Sequence, residues 1–230
     1  MIIIPAYNEE KNIANVISEI RNHRSDFDIV VINDGSRDNT RAVAEQMVPV
    51  ISLPFNLGIG GAMQTGFKYA QEHGYEIAVQ VDGDGQHLPG EIPKLLHTLV
   101  AENYDVVIGS RYLENNNYHT PMMRRLGMII FSFINSRIAD KRLTDNTSGF
   151  RAYNDRAIKF LAANYPTDYP EVEAVAVLAM NNFKIAEVPV EMRQRRYGVS
   201  SIDALSAIYY MIKVSLALLV NVFRKHERAN

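Results

Sequence analysis

The chain has 230 residues, 47% of them hydrophobic, enough to bury a full core as one domain with a short extension. A formal charge of −2 supplies no basic field for nucleic acid, and the absence of cysteine excludes disulfides, thiolate metal sites and a cysteine nucleophile. The six histidines include no pair at H-E-x-x-H spacing. Met1 runs into Ile2-Ile3-Ile4-Pro5 without a basic segment and a long apolar stretch, so the cytoplasmic side is the expected compartment.

Apolar, β-branched runs recur at residues 2–4, 29–32, 50–53, 77–81 and 106–108 and predict strands. Between the first two, Ile13, Val16, Ile17 and Ile20 repeat at helical spacing after Asn8-Glu9-Glu10, which suits a helix start. After Pro89 the same spacing returns in Ile92, Leu95, Leu96 and Leu99. Strands separated by helices read as βαβ units, so the expected fold class is α/β, with a single mostly parallel sheet covered by helices on both faces. Beyond the fifth strand, residues 174–180 read as an apolar helix led by Thr167-Asp168-Tyr169-Pro170-Glu171-Val172-Glu173. The expected division is 1–202 for the α/β domain and 203–230 for an amphipathic C-terminal helix with a basic tail.

Polar residues follow the strands where such a sheet binds ligands, at its carboxyl edge. Tyr7-Asn8-Glu9 follows the first strand and Asn33-Asp34-Gly35-Ser36 the second. Asp82-Gly83-Asp84-Gly85-Gln86-His87 follows the fourth and Gly109-Ser110-Arg111 the fifth. Each set alone is also ordinary turn chemistry; together they deliver ligand-type side chains to one edge. Two carboxylates one residue apart offer hard oxygen ligands to Mg²⁺ or Mn²⁺, a cation that commonly bridges protein and diphosphate. Gly83 and Gly85 let the backbone turn sharply between them.

Pro5-Ala6-Tyr7-Asn8-Glu9 stands where a dinucleotide fold would carry G-x-G-x-x-G, and no G-x-x-x-x-G-K-[ST] is present. Redox and P-loop chemistry are therefore not indicated. A nucleotidyltransferase would carry a Gly-rich, basic loop after the first strand, which Pro5–Glu9 is not.

Taken in order, these segments resemble the inverting family 2 glycosyltransferases of the GT-A fold, and within them the polyprenyl (dolichyl) phosphate sugar synthases. The resemblance runs from residue 3 to about 202. It also includes Asn56-Leu57-Gly58, Ser148-Gly149-Phe150-Arg151 and Arg195-Arg196-Tyr197-Gly198-Val199-Ser200. It implies that Pro5, Tyr7, Glu9, Asn33 and Asp34 line the nucleotide pocket, with Asp82 on the donor. Asn33 stands where the family usually has Asp, which implies an altered nucleotide preference. Asp82, Asp84 and Gln86 match the metal-binding set, the DXD motif, for Mg²⁺ or Mn²⁺; His87 is either a supporting group or a turn residue. Arg111 and Arg125 match positions that meet the acceptor phosphate, and Arg195, with Arg196 as its neighbour, the donor phosphates. Arginine suits this role because its charged fork binds phosphate in two places. Ser201 stands where the family often has Lys, one cation fewer.

The implied reaction passes a sugar from a UDP-, GDP- or dTDP-linked donor to a polyprenyl phosphate or lipid-linked glycan, in the service of cell-surface polysaccharide synthesis. Asp84 and Arg111 would serve catalysis. A hydroxyl acceptor would also need a general base. Asp145, Asp168, Glu171 and Glu173 are the carboxylates available, Glu171 and Glu173 the preferred ones. Both also suit a helix N-terminus.

Residues 204–223 are largely apolar, with Leu205, Ile208, Ile212, Leu216, Leu219 and Phe223 on one stripe and Lys213 among the polar positions. The lysine argues against a membrane span, and an amphipathic helix lying on the membrane surface is expected; packing on its own domain or in a homo-oligomer is the alternative. Residues 122–138 form a second apolar segment. The sequence thus points to an enzyme held at the cytoplasmic membrane face. Its rivals are a hydroxyl-glycosylating enzyme and a catalytically weak nucleotide-sugar-binding scaffold.

Overall fold

In the computed structural model the described residues are 1–23, 26–113, 132, 135–137, 142–167 and 169–193. The first half alternates strand and helix: β1 (Ile2–Ala6), α1 (Ile13–His23), β2 (Ile29–Asn33), α2 (Thr40–Glu45), β3 (Val50–Ser52), α3 (Gly58–Glu72) and β4 (Ile77–Gln80). A 3₁₀ turn, Pro89–Glu91, leads into α4 (Ile92–Ala101) and β5 (Val106–Ser110). Then come β6 (Arg151–Asn154), α5 (Asp155–Asn164), α6 (Pro170–Met180) and β7 (Ile185–Pro189).

All seven strands form one sheet in the order β3-β2-β1-β4-β6-β5-β7. Only β6 runs against its neighbours, β4 and β5. The expected mostly parallel α/β sheet is therefore present, with β6 and β7 added to the five strands read from the sequence. Successive side chains of a strand face opposite sides, and both sides are covered. Ile3, Val30 and Ile32 pack with Met63, Phe67 and Ala70 of α3, Ile158 and Leu161 of α5 and Val175 of α6. Ile2, Ile4, Ile29 and Val31 pack with Ile13, Val16, Ile17 and Ile20 of α1 and Ile92, Leu95 and Leu99 of α4. The helical spacings seen in the sequence are these buried stripes.

Strand order reverses at β1. The chain steps outward to β2 and β3, then crosses back to place β4 on the other side of β1. Such a reversal opens a crevice at the carboxyl ends of the strands, here between the loops after β1 and β4. The glycines of α3 belong to packing. A Cβ at Gly66 would lie 2.4 Å from Ile3 Cγ2, so α3 can approach β1 only through hydrogen.

Among the described residues, no helix is long and apolar enough to cross a membrane. The expected C-terminal helix and most of the apolar segment 122–138 lie outside the described residues, as do Arg125, Asp168, Arg195 and Arg196.

Candidate functional site

The loops after β1 and β2 are tied together. Asn8, with φ +57°, donates its N–H to Ser36 Oγ at 3.0 Å and accepts from Arg37 N through Oδ1 at 2.9 Å. Glu9 donates its N–H to Thr40 Oγ1 at 2.7 Å, and its Oε2 accepts from Asn12 Nδ2 at 2.6 Å. Pro5 is buried within β1, Glu9 is 7% exposed, and Tyr7 stands out at 41%.

Asn33 and Asp34 are shaped mainly by the fold. The Asn33 amide donates to Ser52 Oγ at 3.1 Å and its oxygen accepts from Ser36 N at 3.2 Å, an Asx turn that holds the loop. Asp34 Oδ1 accepts from Leu57 N at 2.7 Å, so this carboxylate caps the start of α3 across the sheet edge. Burial raises the Asp34 carboxyl above its ordinary range, and the Leu57 and Gly58 N–H groups oppose that rise.

Across the crevice, the loop after β4 lies directly on the β1 loop. A Cβ at Gly83 would be 3.2 Å from Pro5 O and 3.6 Å from Glu9 Cγ, so glycine is what lets the two loops touch. Asp82 is held from several sides. Gln80 Nε2 donates to Asp82 Oδ1 at 3.3 Å, and Tyr153 Oη donates to Gln80 Oε1 at 3.4 Å. Burial pushes the Tyr153 hydroxyl up to about 12, keeping it a donor. Asp82 N donates to His87 Nδ1 at 3.0 Å. Gly149 lies over the carboxylate, where a Cβ would come within 2.8 Å of Oδ2 and 2.9 Å of Oδ1. Asp84 Oδ1 accepts from Gln86 N at 3.0 Å, and Gly85 takes φ +77° between them.

The far end of this loop meets the segment after β7. Arg193 N donates to Gln86 O at 2.9 Å, Gln86 Nε2 returns a bond to Arg193 O at 3.3 Å, and His87 bridges Met192 in antiparallel fashion. Arg193 is anchored to Glu19 of α1, Nη1 lying 2.8 and 2.7 Å from the two carboxylate oxygens. Arg195 follows two residues later.

Arg111, just past β5, forms a fork with Asp145: Nε to Oδ2 at 2.7 Å and Nη2 to Oδ1 at 2.8 Å. Arg111 N donates to the same Oδ2 at 3.1 Å. Asp145 is therefore a partner of Arg111, which removes it from the carboxylates able to act as a base. Glu187 of β7 holds the Asp145 loop, accepting from Asp145 N at 2.7 Å and from Thr144 N and Oγ1. Burial raises the Glu187 carboxyl, these donors lower it, and the Asp145 charge raises it.

Glu171 and Glu173 occupy the first turn of α6, with Pro170 opening the helix. Burial raises the Glu171 carboxyl; the Arg151 charge opposes this and the Asp82 charge adds to it. Arg151 is fully buried. Nε donates to Ser148 O at 2.7 Å, and Nη2 to Asn146 O and Glu171 O at 2.9 Å each. It joins the Ser148-Gly149-Phe150 turn to the start of α6. Its Nη1 and the Tyr165 hydroxyl are buried without a hydrogen-bond partner among the described residues.

The fold thus brings Pro5, Glu9, Asp82, Asp84 and Gln86 together, with Asp34 beside them through Asp34 N to Ala6 O at 2.9 Å. Sequence reading assigned no part to Gln80, Arg151, Arg193 or Glu187. Only Arg151 carried a signal there, as the end of Ser148-Gly149-Phe150-Arg151. Among the described residues no group of three or more His, Cys, Asp or Glu converges as a ready metal site. Asp82 and Asp84, with the Gln86 amide, offer the partial oxygen set by which Mg²⁺ or Mn²⁺ is held when phosphates complete its shell.

The model of Glycosyl transferase family 2 matches residues 1–161. The UDP-N-acetylglucosamine–dolichyl-phosphate N-acetylglucosaminyltransferase of Methanococcus voltae is 33% identical over 220 residues, covering 86% of this chain and 87% of that one. The polyprenol monophosphomannose synthase of Mycolicibacterium smegmatis is 30% identical over 226 residues, covering 94% and 85%. Among solved structures, glucosyl-3-phosphoglycerate synthase from Mycobacterium tuberculosis, complexed with Mn²⁺, UDP and glucosyl-3-phosphoglycerate, superposes with a TM-score of 0.68. It is 21% identical and covers 96% of this chain and 78% of its own. The sheet with its reversal at β1 is accordingly the GT-A fold, and the chain belongs to glycosyltransferase family 2.

Proposed function

We propose that this enzyme transfers a sugar, with inversion, from a nucleotide sugar to the phosphate of a polyprenyl phosphate at the cytoplasmic face of the membrane. The observation that carries the reading is the meeting of the β1 and β4 loops, where Gly83, between Asp82 and Asp84, lies against Pro5 O and Glu9 Cγ. Support comes from relatives named for dolichyl-phosphate and polyprenol-phosphate acceptors. UDP is the first donor to test, since it appears in the name of one relative and in the complex of the fold neighbour.

In this reading Pro5, Tyr7, Glu9 and Asp34 line the nucleotide pocket. Asn33 shapes that pocket through Ser36 and Ser52. Asp82, Asp84 and the Gln86 oxygen hold Mg²⁺ or Mn²⁺, which neutralises charge building on the leaving diphosphate. Arg195 and Arg196, which follow the Arg193 that Gln86 and Glu19 hold beside the same loop, serve the donor phosphates. Arg111 and Arg125 meet the acceptor phosphate. An oxygen of that phosphate attacks the anomeric carbon, the carbon–oxygen bond to the diphosphate breaks, and the nucleoside diphosphate departs with the electron pair. The attacking oxygen already carries charge, so no proton is removed. The apolar stretch at residues 204–223 is assigned the task of holding the enzyme at the membrane, beside its lipid acceptor.

A second reading has a hydroxyl acceptor and uses Glu171 or Glu173 as general base. The position of Glu171, half-buried in the first turn of α6 and subject to the Arg151 and Asp82 charges, favours it. Radiolabelled nucleotide sugars, Mn²⁺ and a short-chain polyprenyl phosphate separate the two. Transfer to the lipid phosphate that is lost in Asp84→Ala establishes the first reading. Hydrolysis of the donor with the lipid phosphate untouched moves the search to hydroxyl acceptors.

A further inference from the structure

We propose that His87 is a positioning residue for the cation site, fixing the Asp82 carboxylate through both ring nitrogens; this rests on the metal-dependent reading above. Nδ1 accepts the Asp82 N–H at 3.0 Å, so in the neutral ring the proton sits on Nε2. That nitrogen faces Asp82 Oδ2 at 3.6 Å, close enough for its N–H dipole to favour the carboxylate there. One side chain thereby grips the backbone and the carboxylate of the same residue, closing a ring over the turn at Gly83 and Gly85.

The imidazole is itself immobilised. It is 5% exposed, stacks on Phe150 with ring centroids 4.8 Å apart and planes 14° apart, and its backbone bridges Met192. Gln80 Nε2 donates to Oδ1, and His87 Nε2 faces Oδ2 at 3.6 Å, a distance at which the two interact through their charges rather than a hydrogen bond. Gly149 leaves the carboxylate room in that one orientation. Groups that orient ligating carboxylates in this manner are worth roughly 10- to 100-fold in metal affinity. The alternative is that His87 only fills space between Phe150 and Met192.

His87→Asn tests this. Its amide oxygen takes the place of Nδ1 and still accepts from Asp82 N, while the donor at the Nε2 position is lost. His87→Gln places an amide at the Nε2 position instead. Mn²⁺ binding in the presence of UDP, read by the paramagnetic resonance of free Mn²⁺, is expected to weaken about 10- to 100-fold in His87→Asn. His87→Gln is expected to recover part of the loss, while UDP binding without metal and the thermal midpoint stay near wild type. Equal Mn²⁺ affinity in His87→Asn and wild type overturns the proposal. So does a loss in both variants that merely tracks the thermal midpoint. If wild type itself binds no Mn²⁺ with UDP, the metal-dependent reading fails first, which is a separate outcome. Should His87→Asn not fold, His87→Phe, which keeps the ring on Phe150 and loses both nitrogens, takes its place, and Mn²⁺ affinity equal to wild type overturns the proposal.

Discussion

Asp145 grips Arg111 with both carboxylate oxygens, at 2.7 Å to Nε and 2.8 Å to Nη2, and is itself fully buried. The fork fixes the orientation of the guanidinium at the end of β5. Removing one member of a buried pair strands the other charge. Arg111→Ala is therefore expected to cost about 3–5 kcal/mol of stability, read from the shift of its urea midpoint. Arg111→Lys keeps the charge and loses the fork, so transfer falls well below wild type while much of the stability remains.

Glu187 predicts a pH dependence of stability. Its folded carboxyl titrates above the ordinary 4.5. Between 4.5 and that raised value the folded state binds the extra proton, so stability falls as pH rises through this window and is level above it. Urea midpoints from pH 4 upward should show that decline. Glu187→Gln should flatten it, and should lower the midpoint at neutral pH because one oxygen acceptor for Thr144 and Asp145 becomes a donor.

Two glycines predict opposite kinds of damage. In Gly149→Ala the methyl would lie within 3 Å of both Asp82 oxygens, so the carboxylate must turn away. Mn²⁺ affinity and turnover should drop while the fold persists. In Gly66→Ala the methyl meets Ile3 Cγ2 at 2.4 Å, between α3 and β1. Overpacking there should cost about 1–3 kcal/mol, with metal affinity in the surviving folded protein unchanged. Thermal melts and Mn²⁺ titrations of both variants check the pair.

The same contacts explain what could be read in advance. Strands β1, β2 and β4 announced themselves because both faces of a parallel sheet are buried, and Ile, Val and Ala fill them. Strand β6 did not, because it begins at Arg151 and ends at Asn154. Its polar ends are satisfied by Ser148 O, Asn146 O and Asp105, contacts invisible along the chain. Helix α3 was obscured by Gly58, Gly60, Gly61 and Gly66, residues that weaken helices; Gly58 takes φ +77°, and the other three allow close approach to Pro166, Leu57 and Ile3. Asp82 and Asp84 were legible because the ligand chemistry is written in adjacent residues. Of their supports, Gln80 and His87 lie in the same stretch of chain, whereas Gly149 is brought over Asp82 only by the folded sheet. Asp145 resembled a free carboxylate until Arg111, 34 residues away, was found on it.

Glu171 is the residue on which the two acceptor readings differ. Burial raises its carboxyl, and Arg151 opposes the rise, so it passes from acid to base as pH increases above the ordinary carboxylate range. A hydroxyl acceptor would use that base, and general-base loss costs roughly 10²- to 10⁴-fold. A phosphate acceptor is already an anion and gains nothing from it. With polyprenyl phosphate, Glu171→Gln is therefore expected to retain turnover to within about tenfold, with a pH profile unchanged above neutrality. A loss of about a hundredfold or more, with the rise in rate above the ordinary carboxylate range abolished, would show instead that Glu171 accepts a proton during transfer.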